Sequence, residues 1–255
     1  MITIIPAAGK GERLVPLTDI APKPLLPVYN KPMIFYPLLL LKEAGLKDIV
    51  IVANEESKEQ FEGFFKDGKE FGLKIRYAIQ KEHKGIAHAV NVAKPIAQGQ
   101  KIAVILSDNI FEDNLSSFVT NFASQSFKID GKEVTGASII VKEVPDPERF
   151  GTIELKGDKI VGIEEKPEKP KSNLVVPGFY LFDERVFDVI KMLKPSARGE
   201  YEISDVVKFY INEGTTTYAK LKGDWFDVGT IDAMQKASDF IAENKRLREW
   251  QFDYE

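Results

Sequence analysis

The sequence contains no cysteine among its 255 residues. Disulfides, thiolate metal sites and a cysteine nucleophile are therefore excluded, and the composition is typical of a reducing compartment. Histidine is also scarce, with two residues in the whole chain. His83 and His88 have no partners at metal-ligand spacing, so we interpret both as structural.

Excess charge, long apolar runs and low-complexity segments are absent as well. The 35 basic residues are outnumbered by 39 acidic ones, for a net charge of -4, which argues against a nucleic-acid partner. The longest apolar run, 33–41, contains Pro37 and is too short to span a bilayer. Residues 1–5 show no cationic leader, so we expect no signal peptide, no membrane partner and a cytoplasmic location.

The first half of the chain alternates between strand and helix patterns. We predict strands at residues 2–6, 49–53, 73–80 and 102–106, and helices at 33–44, 57–71 and 86–97. Such an order predicts an α/β fold with parallel strands and right-handed crossovers. Ligands bind at the carboxyl ends of the strands in sheets of this kind.

The second half has closer-spaced strand patterns. We predict strands at 134–144, 151–155, 159–166 and 175–182, a hairpin turn at Gly157-Asp158, and helices at 184–193, 203–212 and 231–247. No Gly/Ser linker separates the halves. We therefore expect a single domain over 1–255, with a mixed sheet that extends the first one and carries a second ligand subsite.

A small-residue loop follows the first strand and precedes two cations. Ala8, Gly9 and Gly11 allow backbone N–H groups to approach phosphate oxygens, and Arg13 and Lys23 supply positive charge. The loop lacks the third glycine of the dinucleotide fingerprint and the Gly-Lys-Ser/Thr of the Walker motif. A triphosphate site and an ordinary strand-to-loop turn both remain open.

Several polar residues come directly after predicted strands or before helices. Asp108 and Asp227 could hold Mg²⁺ against phosphates, or serve as turn and cap residues. Further candidates are Gln80 and Gly85 for a base edge, Lys166 for an anionic group and Glu165 for sugar hydroxyls, each with surface polarity as the alternative.

No activated serine or cysteine triad is visible. Cations together with a candidate metal site favour direct phosphoryl transfer by positioning and charge neutralisation. In that chemistry an acceptor phosphate attacks the α-phosphorus of a nucleoside triphosphate, and pyrophosphate leaves.

Ordered motifs along nearly the whole chain resemble those of the sugar-phosphate nucleotidyltransferases, and within them the glucose-1-phosphate thymidylyltransferases. The motifs are AGKGER at 8–13, KPLLPVYNKPMI at 23–34, GIAHA at 85–89, SDN at 107–109, DPERFG at 146–151, EEKP at 164–167, KSN at 171–173, RGEYEI at 198–203 and WFDVGT at 225–230.

The resemblance implies a Rossmann-like open sheet, mixed but mostly parallel and flanked by helices, of the nucleotide-diphospho-sugar transferase type. It also implies a Mg²⁺-dependent reaction of a sugar 1-phosphate, expected to be glucose 1-phosphate, with a nucleoside triphosphate, expected to be dTTP. Residues of about 1–130 would bind the nucleotide, and those of about 131–255 the sugar phosphate. The partners are then these small molecules, and a homo-oligomer is compatible with the family.

The resemblance also implies roles for the matching residues. Catalysis would rest on Arg13, Lys23 and Asp108, and metal binding on Asp108 and Asp227. The substrate-binding residues would be Ala8, Gly9, Gly11, Gln80, Gly85, Gly151, Glu165, Lys166 and Val176.

Some positions depart from the thymidylyltransferase pattern. Ala8 and Glu12 replace a glycine and a threonine in the loop, Pro24 replaces a glutamine, and His88 replaces a glutamine after the base-binding glycine. An acidic side chain at position 12 should point away from the triphosphate. These departures leave the reaction class intact and keep a UTP-dependent enzyme as an alternative. A second alternative is a non-catalytic, nucleotide-sugar-binding regulatory subunit, although Lys23, Asp108 and Asp227, which such a protein could lose, are all present. A glycosyltransferase is disfavoured because no Asp-x-Asp metal motif is present.

Overall fold

The computed structural model of the protein describes residues 1–252. Its strands are β1 (Ile2–Pro6), β2 (Pro27–Val28), β3 (Lys31–Pro32), β4 (Asp48–Ala53), β5 (Lys74–Ile79), β6 (Ile102–Ile105), β7 (Asn109–Phe111), β8 (Phe127–Ile129), β9 (Lys132–Val134), β10 (Ala137–Glu143), β11 (Gly151–Lys156), β12 (Lys159–Glu165), β13 (Leu174–Val175), β14 (Phe179–Phe182), β15 (Thr216–Lys220) and β16 (Trp225–Asp227).

The helices lie between these strands. They are α1 (Phe35–Glu43), α2 (Glu55–Phe65), α3 (Ile86–Val92), α4 (Lys94–Ala97), α5 (Ser116–Ser124), α6 (Val186–Met192), α7 (Ile203–Glu213), α8 (Ile231–Glu243) and α9 (Lys245–Glu249). Short 3₁₀ turns occur at Glu12–Leu14, Leu17–Asp19, Lys23–Leu25, Lys69–Phe71 and Pro147–Arg149. None of the helices within residues 1–252 is long and apolar enough to cross a membrane.

Ten strands form one open sheet in the order β12-β11-β13-β10-β14-β6-β1-β4-β5, with β15 paired to β10. The pairs β1–β4, β1–β6, β4–β5 and β10–β15 are parallel, and β14 lies antiparallel between β6 and β10. Strands β1, β4, β5, β6, β10, β11 and β15 therefore run in one direction, and β12, β13 and β14 run in the other. This arrangement confirms the predicted fold class, a mixed and mostly parallel open sheet flanked by helices.

Alternate residues of the central strands pack on opposite faces of the sheet. Ile4 and Val50 belong to a core with α3, α6 and α7, whereas Ile5 and Ile51 belong to a core with α1, α2 and α5. All four are fully buried, and burial of each such side chain contributes about 1.5–3 kcal/mol. The two cores hold the strands rigidly, so the loops at their carboxyl ends start from fixed positions.

Helix α2 differs from its prediction at both ends. It begins at Glu55 because the Asn54 side chain accepts a hydrogen bond from Ser57 N at 2.7 Å. It ends at Phe65, and positive φ angles at Lys66 and Gly68 prevent continuation. The helix predicted over 57–71 is therefore wrong in its last six residues.

Prolines and a glycine interrupt further predicted elements. The helix predicted over 86–97 divides at Ala93, since Pro95 in the first turn of α4 has no N–H to donate. The strand predicted over 175–182 is interrupted at 176–178, which contains Pro177. β10 starts only at Ala137, because Gly136 before it has φ 78°.

Two further elements lie closer to their predicted positions in the sequence. The helix predicted over 231–247 divides at Asn244, whose side chain accepts from Leu247 N at 3.1 Å and so caps α9. The hairpin at Gly157-Asp158 is confirmed, with Lys156 opposite Lys159 and φ 62° at the glycine.

Candidate active site

The loop after β1 lies at the carboxyl edge of the sheet. Ala7 N donates to Val52 O at 2.8 Å, and Ala8 O accepts from the Asn54 side chain at 3.1 Å. Gly11 has φ 68°, and its carbonyl accepts from Thr18 Oγ1 at 3.2 Å. The loop is thus anchored to the sheet on one side and to the proline-rich segment on the other.

Gly11 also brings Lys23 close to the loop. A Cβ at position 11 would lie 2.8 Å from Thr18 Cγ2 and 3.0 Å from Lys23 Cβ, which is too close for any larger residue. Lys23 starts a short 3₁₀ turn, and its Nζ is bonded to Asp108 Oδ2. The glycine therefore allows the cation to approach the loop and the end of β6 at once.

The two candidate metal ligands meet because of a small two-stranded sheet outside the main one. β7 pairs with β16, and this register places Asp227 opposite Asn109. Val228 N donates to Asp108 O at 2.9 Å, and Asn109 Nδ2 donates to Asp108 Oδ1 at 2.8 Å. Segments more than a hundred residues apart in sequence therefore bring two carboxylates to one place.

The charges around the two carboxylates differ. Burial alone would raise the pKa of Asp108, but the adjacent Lys23 ammonium and the Asn109 amide lower it below its usual range. Burial raises the pKa of Asp227 to about 6, and the negative charge of Asp108 adds to this rise. Lys23, Arg13 and Arg149 offset only part of it. The Asp227 carboxylate is therefore costly to ionise where it lies, chiefly because burial removes it from water.

Arg13 reaches the same place from the loop. A Cβ at Gly229 would lie 2.5 Å from Arg13 Nη2 and 3.5 Å from Asp227 Oδ2. The guanidinium thus rests on the backbone of Gly229, two residues after Asp227. Arg149 approaches from the other side, with Nη2 at 3.9 Å from Asp227 Oδ2.

A first cavity of about 290 Å³ opens beside Lys23 and Asp108. Of the residues predicted from the sequence, it is lined by Ala8, Gly9, Lys23, Gln80, Gly85 and Asp108. At its far end Gly85 has φ 91°, and a Cβ there would lie 2.6 Å from Tyr201 O. Only glycine permits this approach, which leaves its backbone exposed to the cavity.

A second cavity of about 360 Å³ adjoins the first, and Ile86 and Leu106 line both. Of the predicted residues, it is lined by Arg13, Gly151, Glu165, Lys166, Val176 and Asp227. A Cβ at Gly151 would lie 3.1 Å from Glu165 Oε2. Burial, together with the negative charge of Glu202, raises the pKa of Glu165. A hydrogen bond from Ser204 and the positive charges of Lys166 and Arg198 lower this pKa, but by less.

Two loop residues lie outside both cavities. Gly11 contacts Thr18 and Lys23 from behind rather than lining either space. Glu12 lines an outer concavity of about 440 Å³ together with Lys10, and Ala7 and Gly9 line both this concavity and the first cavity. That the Glu12 carboxylate points away from a bound triphosphate stays a prediction.

Several residues at the site had no role in the sequence-based prediction. Trp225 Nε1 donates to Asn109 Oδ1 at 2.7 Å, and Arg198 lies 4.0 Å from Glu165 and 3.5 Å from Glu202. These residues lie within the motifs that carried the resemblance, but no local pattern shows which cavity each would face.

Acidic residues alone do not form a metal site here. Within residues 1–252, no three histidine, aspartate or glutamate side chains cluster closely enough to hold an ion by themselves. A cation between Asp108 and Asp227 would need further ligands from a bound molecule or from water.

The model of the family described as nucleotidyl transferase matches residues 2–244. The chain belongs to this family. It is 39% identical over 241 residues to a glucose-1-phosphate thymidylyltransferase of Neisseria meningitidis, covering 93% of this chain and 81% of that protein. A glucose-1-phosphate thymidylyltransferase of Mycolicibacterium smegmatis is also 39% identical over 242 residues, with the same coverage.

Solved structures agree with this family. A candidate glucose-1-phosphate thymidylyltransferase of Bacillus anthracis, solved with sucrose, superposes with TM-score 0.89 and 38% identity, covering 99% of this chain and 98% of that chain. A UDP-glucose pyrophosphorylase solved with UDP-glucose superposes with TM-score 0.81 and 25% identity, covering 95% of this chain and 98% of that one. The chain is a sugar-1-phosphate nucleotidyltransferase by family and by fold.

Proposed function

We propose that the protein condenses glucose 1-phosphate with dTTP to give dTDP-glucose and pyrophosphate. The observation that carries this proposal is that two adjoining cavities meet where Lys23, Arg13 and the two carboxylates converge. One cavity alone would serve a binding protein. Two cavities that share a wall at a charged centre suit the joining of two anions.

The first cavity is proposed to hold the nucleotide. Its apolar wall contains Pro6, Ile86 and Leu106. Besides Lys23 and Asp108, its polar groups are the Gln80 amide, the backbone at Gly85, the loop at Ala8 and Gly9, and the side chains of His83, Ser107 and Glu200. That pattern suits a flat base whose edge is recognised by hydrogen bonds. Lys23 stands at the end where the phosphates would lie.

The second cavity is proposed to hold the sugar 1-phosphate. Glu165 and Glu202 supply acceptors for hydroxyl groups, and the backbone at Gly151 allows close approach. Lys166 has φ 43°, and its N donates to Phe150 O at 3.0 Å. This turned backbone puts a cation at the rim of the cavity, where it would bind the phosphate of the sugar.

A divalent cation fits Asp108 and Asp227. The chemistry of the donor set is the argument: two partly buried carboxylates lie so close that one raises the pKa of the other, and only one has a lysine partner. Mg²⁺ typically takes one or two carboxylates and completes its shell with phosphates and waters. When bound, Mg²⁺ would supply charge neutralisation for the phosphates of the nucleotide.

The chain's own residues then act by placement and charge. An oxygen of the sugar phosphate forms the new bond to the α-phosphorus, and the bond from that phosphorus to pyrophosphate breaks. A phosphate is already largely ionised at neutral pH, so the attack needs no general base. Lys166 would hold the nucleophile, Lys23 the reacting phosphates and Arg13 the departing pyrophosphate.

The thymidine nucleotide is favoured over UTP by the relatives. Two proteins 39% identical to this chain are named for thymidylyl transfer, whereas the uridylyl neighbour is 25% identical. The two triphosphates differ by a methyl group and a 2′-hydroxyl, and a methyl group gives only about 1–3 kcal/mol of discrimination, so some use of UTP is expected. We also propose a cytoplasmic location, on the cysteine-free composition.

Pyrophosphate release tests the proposal. Purified protein is given glucose 1-phosphate, MgCl₂ and one triphosphate at a time, with EDTA replacing MgCl₂ in parallel. We expect dTTP to be the best substrate and EDTA to abolish turnover. Lys23→Ala and Asp108→Asn should each lose at least about 100-fold in kcat, because charge stabilisation at a transferring phosphoryl group is worth that much.

Lys159→Ala and Asp158→Asn provide matched controls. Both residues lie at the exposed tip of the β11–β12 hairpin, so neither change should alter turnover. Absence of pyrophosphate release with every triphosphate, while dTDP-glucose still binds, would instead support a non-catalytic nucleotide-sugar-binding protein.

A further inference from the structure

The side chain of Gln80 is held by a residue that lies behind the first cavity. Gln80 is 4% exposed, and its Nε2 lies 2.9 Å from His88 Nδ1. His88 is on α3 and is not among the residues that line the cavity, whereas Gln80 is. The contact therefore acts on the candidate base-binding amide from the side away from a ligand.

The protonation of the imidazole decides which way the amide points. A neutral ring has one N–H donor and one bare acceptor nitrogen. An amide NH₂ group can only donate, so the 2.9 Å hydrogen bond from Gln80 Nε2 requires Nδ1 to accept. We therefore assign the ring N–H to Nε2. Nδ1 is then the acceptor, and Gln80 Nε2 donates to it.

The surroundings keep the ring neutral at pH 7. Burial, together with the positive charge of Lys84, lowers the pKa of His88, and the nearby Glu82 charge opposes this only in part. The ring of Tyr201 lies 6.4 Å away, nearly parallel to the imidazole. A neutral acceptor at Nδ1 is therefore the resting state.

The rest of the Gln80 amide is left for the cavity. One N–H of Nε2 is used by His88, and the side chain makes no other hydrogen bond within the described part of the chain, 1–252. Oε1 and the second N–H lie on the edge of the amide that can form a pair of hydrogen bonds. The order of acceptor and donor along that edge is set by the bond to His88.

We propose that His88 is a positioning residue for base selectivity, which holds the Gln80 amide in the one orientation that matches thymine or uracil and not cytosine. This inference rests on the proposed function, because it assumes that the first cavity holds a pyrimidine. His88 itself touches neither substrate.

The chemistry of the bases gives the reason. Thymine and uracil present N3–H as a donor beside a carbonyl acceptor, so they need an acceptor and a donor, in that order, from the amide. Cytosine presents bare N3 beside an amino group, which is the opposite order. Rotating the amide by half a turn exchanges Oε1 and Nε2, and so exchanges one preference for the other.

The test uses residues at position 88 that can only accept or only donate. His88→Glu offers an acceptor to Gln80 Nε2 and should keep the dTTP to CTP ratio of kcat/KM. His88→Lys offers a donor, draws Oε1 towards itself and should lower that ratio by about 5- to 150-fold, the usual effect of one bidentate base contact. His88→Leu offers neither and should also lower the ratio, without any change of charge.

Asn91 supplies the matched controls. It is exposed and lies one turn further along α3, so Asn91→Glu and Asn91→Lys add the same charges away from Gln80. Both should leave the ratio unchanged. A His88→Lys variant that keeps the wild-type ratio, or equal shifts in the Glu and Lys variants, would overturn the inference.

Failure of the proposed function gives a different result. Wild-type protein would then turn over none of dTTP, UTP and CTP with glucose 1-phosphate. If His88→Lys does not fold, as judged by circular dichroism, His88→Leu carries the test alone. An unchanged ratio in that variant would show that His88 does not position the amide.

Discussion

Asp227→Asn should stabilise the protein while removing its activity. The pKa of Asp227 is raised from 3.8 to about 6 by burial and by the charge of Asp108. One pKa unit corresponds to 1.36 kcal/mol, so the ionised side chain costs the folded state at most about 3 kcal/mol. The side chain is 19% exposed, which leaves little solvent to screen the repulsion. Asparagine has a similar shape and no charge.

The pH dependence of this effect has a definite sign. Below pH 4 the carboxyl is protonated in the folded and the unfolded state, so it costs nothing. Between pH 4 and pH 6 only the unfolded state ionises freely, and the stability that depends on the protonated form is lost as pH rises through the folded pKa of about 6. Above pH 7 the ionised Asp227 side chain lowers the free energy of unfolding by its full amount.

Unfolding measured without divalent cations checks the magnitude. In EDTA at pH 8 the variant should gain up to about 3 kcal/mol in the free energy of unfolding, which corresponds to roughly 6–12 °C in Tm for a chain of this size. At pH 4.5 the gain should be much smaller. Asp158→Asn, at an exposed turn, should show no gain at either pH.

Asp108→Asn is the internal comparison. Its carboxylate has a lowered pKa and is paired with Lys23, whose side chain is 13% exposed. Removing it leaves a nearly buried ammonium with a weaker partner, so the gain at pH 8 should be smaller than that of Asp227→Asn. If Asp227→Asn is neutral or destabilising at pH 8, burial and the charge of Asp108 do not raise the pKa of Asp227 as the structure indicates.

Other substitutions test separate parts of the structure. Gly229→Ala should displace the Arg13 guanidinium, which would lie 2.5 Å from the new methyl group; we expect lower kcat in a pyrophosphate-release assay with an unchanged Tm. Glu165→Gln should raise KM for glucose 1-phosphate but not for dTTP in steady-state kinetics. Tyr210→Phe removes a 2.9 Å bond to the buried Asp183 carboxylate and should lower the free energy of unfolding by about 1.5–3 kcal/mol in urea, with turnover retained.

The sequence was sufficient to predict the helices and strands whose apolar residues form a regular pattern or a nearly unbroken run. Ile102–Ile105 is fully apolar and Ile2–Pro6 is apolar except for Thr3, as expected for buried parallel strands, and the candidate residues after them line a common cavity. Their position follows from topology alone, because parallel strands end at one edge of the sheet.

The pairing of β7 with β16 could not be predicted in this way. Each strand has three residues, too few for an alternating pattern, and their contact joins segments more than a hundred residues apart. Yet this pairing is what places Asp227 beside Asp108. The sequence showed two candidate carboxylates, whereas only the structure shows that they share one site.

The contact between His88 and Gln80 is a second feature that the sequence could not predict. A lone histidine without metal-ligand spacing was interpreted as structural, and its contact with Gln80 depends on a turn from β5 into α3 that no local pattern specifies. The same turn carries Gly85, where a φ of 91° and the close approach of Tyr201 O both require glycine. Residues that position others are difficult to find from sequence, since their chemistry appears only in the contact.

The ion pair between Lys23 and Asp108 couples the binding of the two proposed ligands, the triphosphate and the divalent cation. A phosphate that binds Lys23 must compete with Asp108 for the ammonium. If the phosphate draws Lys23 away without a metal ion, the two adjacent carboxylates, which are mostly shielded from solvent, are left with fewer cations than before, and such unpaired charge is costly. A triphosphate that arrives with a divalent cation would avoid this cost, because Asp108 and Asp227 would hold that cation in place of Lys23. The affinity for dTTP should therefore fall steeply in EDTA for the wild-type protein and much less for Asp227→Asn, where one of the two carboxylates has already been removed.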